Sequence, residues 1–234
     1  MNARPLVWLL AGALASAACE PNIARAPLGA SAASPSDVVE FDRLYRMNCG
    51  GCHGVNGEGG VALGFNNPVY MAFADDHLLR RVTAEGVRGT GMPAFATASG
   101  GLLTDAQVDA VVAGIRARWG VSSGPATAVP PYRASRAGDP KRGAERFVDA
   151  CAQCHGDDGR GGPQAGSIVE GSYLALVSDQ SLRTTIIAGR PDLNHPGRDR
   201  LSGTALSDED ITDLVAWLAT HRARMPKSER VDHR

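Results

Sequence analysis

Two pentapeptides carry residue types that could do chemistry together: Cys49-Gly-Gly-Cys52-His53 and Cys151-Ala-Gln-Cys154-His155. Two thiols three residues apart on a helical turn can form thioethers with the two vinyl groups of one haem. The histidine that follows is then presented to the iron as an axial ligand, so each pentapeptide reads as a c-type haem attachment motif. Other uses of paired cysteines fit less well. Zinc sites with two Cys-x-x-Cys pairs set them about 15 to 20 residues apart, whereas Cys52 and Cys151 lie in different halves of this chain. A thioredoxin-like pair wants a βαβ setting, and a disulfide framework would not explain a histidine after both pairs. The reading is therefore two haem c groups, bound covalently through Cys49, Cys52, Cys151 and Cys154, with His53 and His155 on the irons.

The elements that must position these residues repeat as well. "CGGCHGVNGEGG" (49–60) aligns with "CAQCHGDDGRGG" (151–162) at an offset of 102, and Tyr45 aligns with Phe147. Further on the offset becomes 103: Tyr70 with Tyr173, Leu79 with Leu182, Gly86 with Gly189, Leu103 with Leu206. This is a duplicated unit with one residue inserted after the second motif. In each copy a helix runs into the motif, capped by Ser36 in the first and by Asp139 with Pro140 in the second. Another begins near Asp75 or Ser178 and stops at Gly86 or Gly189. A last helix starts at Thr104, with Gln107 three residues on, and spaces Val108, Val111, Val112, Ile115 and Trp119 along one face. Its partner starts at Ser207 and spaces Ile211, Leu214, Val215 and Leu218 likewise. Strand alternation is missing, so the fold class is all-α, with two tandem domains.

Composition agrees with export and argues against some partners. The formal charge of −1 gives no general attraction to nucleic acid. Aromatic residues make up 5% of the 234 residues, so bulky cofactors are candidates to fill two small cores. "MNARPLVWLLAGALASAAC" has a basic start, a short apolar run and small residues before Cys19, which is a secretory signal peptide. Cys19 stands where a lipid-modified cysteine would, although Ser16 replaces the usual leucine. Ordinary cleavage near Ala17 or Ala18 is the alternative. The expected layout is signal peptide 1–19, tether 20–35, domain 36–120, Pro- and Ser-rich surface linker 121–137, domain 138–224 and charged tail 225–234.

On these motifs the chain resembles the class I cytochromes c, over 36–120 and 138–224. The resemblance implies a C-terminal helix crossing the helix before the motif and a sixth iron ligand from a loop on the far haem face, commonly a methionine followed by proline. Met92 of "GTGMPAF" matches that position, with Met71 and His77 as rivals. The equivalent position in the second copy is His195 of "DLNHPG", again followed by proline; Met225 of "RARMPKSER" is the alternative. The family often has a proline carbonyl that accepts from the proximal histidine. Pro163 stands at that place, while the first copy has Val61. Arg80 and Arg81 are candidates to meet a propionate.

Thioether sulfur favours Fe(II) and imidazole favours Fe(III), so a His53/Met92 haem should sit at higher potential than a His155/His195 haem. The function expected is that of a periplasmic dihaem electron carrier, soluble or held to a membrane by a lipid on Cys19. Electrons would enter at the second haem and leave from the first, between redox protein partners. Lys141, Arg142, Arg160 and Arg190 are candidates for a docking surface. Two alternatives stay open: a peroxidase-like dihaem enzyme with one open iron, and a haem subunit of a dehydrogenase or oxidase complex.

Overall fold

The computed structural model describes residues 34–121, 129–201 and 205–224. The expected signal peptide with Cys19, most of the tether, Met225 and the charged tail lie outside these residues. Ten α-helices follow in order: α1 Phe41–Asn48, α2 Gly50–His53, α3 Pro68–Phe73, α4 Asp76–Glu85, α5 Asp105–Trp119, α6 Pro140–Ala150, α7 Ala152–His155, α8 Gly171–Leu176, α9 Asp179–Ala188 and α10 Asp208–Thr220. Among the described residues, extended pairing is limited to isolated bridges, one of them between Arg190 and His195. No described helix is long and apolar enough to cross a membrane.

Local chemistry explains most helix ends. Asp75 Oδ1 accepts from the Leu78 amide at 2.6 Å, and Ser178 Oγ accepts from the Ser181 amide at 3.1 Å. These caps start α4 and α9, which stop at Gly86 and Gly189. Thr104 with Gln107, and Ser207 with Asp210, form capping boxes at α5 and α10. Asp139 caps α6, with Pro140 in the first turn. The first copy departs from expectation at Ser36. That residue sits in a short 3₁₀ turn, Pro35–Asp37, and α1 begins only at Phe41, after Glu40 and without a side-chain cap. The carbonyls of Pro35 and Val38 each accept, at 2.9 Å, from the buried Gln107 amide nitrogen of α5. The segment before α1 is thus drawn onto α5 rather than wound into the helix.

The last helix of each copy crosses the first: α5 on α1, and α10 on α6. Each crossing pairs a glycine with a ring, but the two copies assign them oppositely. In the first, Phe41 of α1 lies against Gly114 of α5, where a Cβ would come within 2.1 Å of the ring. In the second, Gly143 of α6 lies under α10, where a Cβ would meet the Asp213 carbonyl at 2.0 Å and Trp217 Cβ at 2.8 Å. Phe41 and Gly143 are counterparts by sequence offset, as are Gly114 and Trp217. The axes approach closely both times because one side gives up its side chain. Trp217 then stacks on Phe147, with ring centroids 4.4 Å apart.

The halves form one body. Val69 and Phe73 of α3 pack against the core cluster of the second copy, and buried Asn67 donates to the Ala188 carbonyl at 2.9 Å. The expected surface linker is in part structural. Arg183 of α9, whose side chain is 3% exposed, donates to the Pro131 carbonyl at 2.8 Å, the Tyr132 carbonyl at 3.2 Å and Thr212 Oγ1 at 3.1 Å, and it pairs with Asp208. The cation needs acceptors where it is buried, and the returning chain supplies two carbonyls. Its counterpart Arg80 stays at the surface and pairs with Asp105 and Asp109, at 3.2 and 2.7 Å.

Candidate haem sites

In the first copy α1 leads into α2, which carries Cys49, Cys52 and His53 to the edge of a cavity of about 460 Å³. Phe65, Tyr70, Leu79, Val82, Ile115 and Met92 are among the residues that line it. His53 Nδ1 lies 2.8 Å from the Leu63 carbonyl, which can only accept, so the proton sits on Nδ1. The ring is stacked on Phe65, with centroids 4.5 Å apart. Nε2 is buried and has no hydrogen-bond partner. Burial lowers the His53 pKa, against the effect of the Leu63 carbonyl, and keeps the imidazole neutral. A neutral ring with a fixed tautomer and one free buried lone pair is what a metal ligand requires. Leaving that nitrogen unpaired would otherwise cost about 1–3 kcal/mol.

The thiols also fit the attachment chemistry. All four motif cysteines are free. Burial, then the neighbouring Cys52, pushes the Cys49 thiol up to about 12; burial, then Cys154, pushes Cys151 up to about 11. Neither brings charge into an apolar pocket. Among the described residues, no group of three or more His, Cys, Asp or Glu side chains could hold a metal ion by itself.

The second copy repeats the orientation of the histidine, with Ile168 where Phe65 stands and His195 where Met92 stands. His155 Nδ1 lies 2.8 Å from the Gly166 carbonyl. Gly166 and Leu63 are counterparts, so in neither copy does the expected Pro163 position accept the bond. The proline's turn precedes the carbonyl that does. Opposite His155 stands His195, with ring centroids 6.2 Å apart and planes inclined by 45°. Two imidazoles sharing a metal, with nitrogens about 2 Å from it and ring centres about 1 Å further out, come to about 6 Å. His195 Nδ1 is buried and without a partner, and burial followed by the nearby His155 lowers its pKa.

Met92 and His195 occupy the same place in the two folds. The Val87 amide donates to the Met92 carbonyl at 3.0 Å, as the Arg190 amide does to the His195 carbonyl at 2.9 Å. Both loops close over a left-handed glycine, Gly86 at φ 72° and Gly189 at φ 70°. A Cβ would lie 2.7 Å from the Met92 carbonyl oxygen in one and 2.8 Å from that of His195 in the other. No side chain fits there, so glycine both ends the helix and seats the loop.

The rival ligands are placed elsewhere. Met71 is 2% exposed in the core of the first copy, and His77 faces solvent on α4. Arg80 is held by α5 carboxylates rather than turned to the cavity. Of the basic residues expected to form a docking surface, Arg142 pairs with Asp213, Arg160 with Asp158 and Arg190 with Asp192. Sequence reasoning missed that the second copy also walls the first cavity: Leu176, Gln180, Thr184, Thr185 and Arg190 all line it. No local signal in α9 marks this wall, because it arises from the packing of one copy on the other.

Residues 140–222 match a family model described as cytochrome c, and residues 36–113 one described as cytochrome c oxidase, cbb3-type, subunit III. A cbb3-type cytochrome c oxidase subunit FixPc of Rhizobium leguminosarum bv. viciae is 26% identical over 178 residues, 71% of this chain and 56% of that protein. FixP of Azorhizobium caulinodans is 29% identical over 174 residues, 69% of this chain and 54% of that protein. A cytochrome bc1 complex cytochrome c subunit of Mycobacterium tuberculosis is 26% identical over 193 residues, 79% of this chain and 64% of that protein. The chain thus spans between half and two thirds of the length of these relatives.

Proposed function

We propose that this chain, which belongs to the cytochromes c and carries two covalently attached haems c, relays single electrons outside the cytoplasm between unlike centres. When bound, each haem supplies a one-electron Fe(III)/Fe(II) couple. Cys49, Cys52, His53 and Met92 would hold the first; Cys151, Cys154, His155 and His195 would hold the second. What supports this reading is the shared amide-to-carbonyl bond and glycine seat of the Met92 and His195 loops, with Met92 lining the cavity beside His53 and the His195 ring facing His155.

The protein's own residues then set the direction. The Met92 thioether favours Fe(II), and the His195 imidazole favours Fe(III), so the ligands put the first centre above the second. Leu63 and Gly166 fix the proximal rings through Nδ1. The α9 wall and the Asn67 bond to Ala188 hold the sites at one separation, so transfer between them needs no domain motion. Electrons enter at the second centre and leave from the first. The relatives in cbb3-type oxidase and in the bc1 complex support redox partners of the respiratory kind; the periplasmic side and a lipid on Cys19 rest on the leader sequence alone.

Electron paramagnetic resonance of the fully oxidised holoprotein tests the ligand assignment. The expected result is two low-spin ferric signals, one of the His/Met kind and one bis-His. A substantial high-spin signal would mean an open iron and would overturn the carrier reading in favour of peroxidase-like chemistry.

A further inference from the structure

Arg190 belongs to both haem sites. Its main chain pairs with His195 in both directions: its amide donates to the His195 carbonyl at 2.9 Å, and its carbonyl accepts from the His195 amide at 3.0 Å. Its side chain turns the other way. Nη2 donates to the Gly60 carbonyl of the first copy at 2.5 Å, and Arg190 is among the residues that line the cavity containing His53 and Met92. A two-pronged pair with Asp192, at 2.9 and 2.6 Å, fixes its plane. The side chain is 15% exposed.

The counterpart in the first copy shows which part of this is extra. Val87 makes the same amide bond to the Met92 carbonyl with an apolar side chain. A guanidinium is therefore unnecessary for seating a ligand loop; in the second copy it reaches across to the first. A cation beside a redox centre stabilises the form with less positive charge. The same side chain, pinned at Gly60, immobilises the backbone that holds His195.

We infer that Arg190 is a positioning residue that couples the two haem sites, biasing the first toward reduction with its charge and holding the His195 loop of the second through its anchor on Gly60. The inference rests on the ligand reading above. It predicts opposite effects from the two members of the ion pair. Arg190→Gln removes the cation and leaves the Asp192 carboxylate uncompensated; Asp192→Asn does the reverse.

The test is spectroelectrochemical titration of wild-type, R190Q, R190K and D192N holoproteins, with cyanide binding to the ferric second haem as a second readout. At a fixed applied potential, R190Q should lower the reduced-to-oxidised ratio of the first haem at least threefold, about 28 mV for one electron. D192N should raise that ratio. R190K should stay near wild type in potential, yet share with R190Q a cyanide rate at least threefold faster, because lysine keeps the charge but not the fork that anchors the loop. A lower melting temperature with unchanged potentials and cyanide rates would reduce Arg190 to a structural residue and overturn the inference. A high-spin wild-type signal would instead overturn the ligand reading beneath it, so the two failures are distinguishable.

Discussion

Asp213 is the carboxylate on which the α6–α10 crossing depends, and its removal has a calculable effect. Its side chain is 4% exposed on α10. Burial opposes its ionisation, but Arg136, the Asp139 amide and Arg142 outweigh that, and its pKa falls from 3.8 to about 2. The bonds are short: 2.9 Å to Arg136, 2.7 Å to the Asp139 amide and 2.9 Å to Arg142. At about 1.36 kcal/mol per unit, ionised Asp213 contributes about 2.4 kcal/mol at pH 7. Because folding depresses this pKa, the contribution is full above the unfolded value and is lost as pH falls through 2. About 1.3 kcal/mol should remain at pH 3 and about 0.4 at pH 2. Asp213→Asn keeps an oxygen for the Asp139 amide and removes the charge. Urea unfolding of wild-type and D213N holoproteins, at matched ionic strength, should show a deficit near the pH 7 figure that roughly halves at pH 3. A deficit below about 0.5 kcal/mol at pH 7, or one that does not shrink on acidification, would refute the reasoning.

Three further outcomes follow from other contacts. Met92→His should convert the first centre's ferric signal to the bis-His kind and lower its midpoint potential, both read by resonance and titration, because the loop that seats His195 has the same geometry. Gly143→Ala should destabilise the second domain by about 1–3 kcal/mol in urea melts, since its Cβ would meet a main-chain carbonyl that cannot turn aside; Gly51→Ala, with nothing within 4 Å, serves as the control. Asn67→Ala loses both the α3 cap and the buried bond to Ala188. It should cost about 1–3 kcal/mol and speed proteolysis between the domains.

Much of the fold is legible because local chemistry decides it. The caps at Asp75, Ser178, Thr104 and Ser207, and the stops at Gly86 and Gly189, need only neighbours in sequence. The candidate haem attachment residues come from the sequence alone, since thioether spacing is a property of five consecutive positions. The remaining features depend on distant partners. Ser36 lost its helix to Gln107, about seventy residues away in sequence. The carbonyl that orients His155 is that of Gly166 rather than Pro163, because backbone acceptors leave no trace in residue identity. Arg183 reads as an ordinary surface cation until the linker folds over it. The second copy's wall on the first cavity leaves no such mark in α9, since it depends on how the two copies pack.

The exchanged glycine and ring at the two helix crossings bear on how a duplicated chain sorts its own halves. Repeats that share a fold can in principle borrow each other's segments while folding, or trade them between molecules. Here such borrowing is penalised both ways. If α10 docked on α1, Trp217 and Phe41 would compete for the same volume; if α5 docked on α6, Gly114 would face Gly143 across a gap. One pairing is too full and the other too empty, so each first helix accepts only its own last helix. The mismatch acts as an address label written in volume, and it assigns each terminal helix to the pocket that its own motif closes.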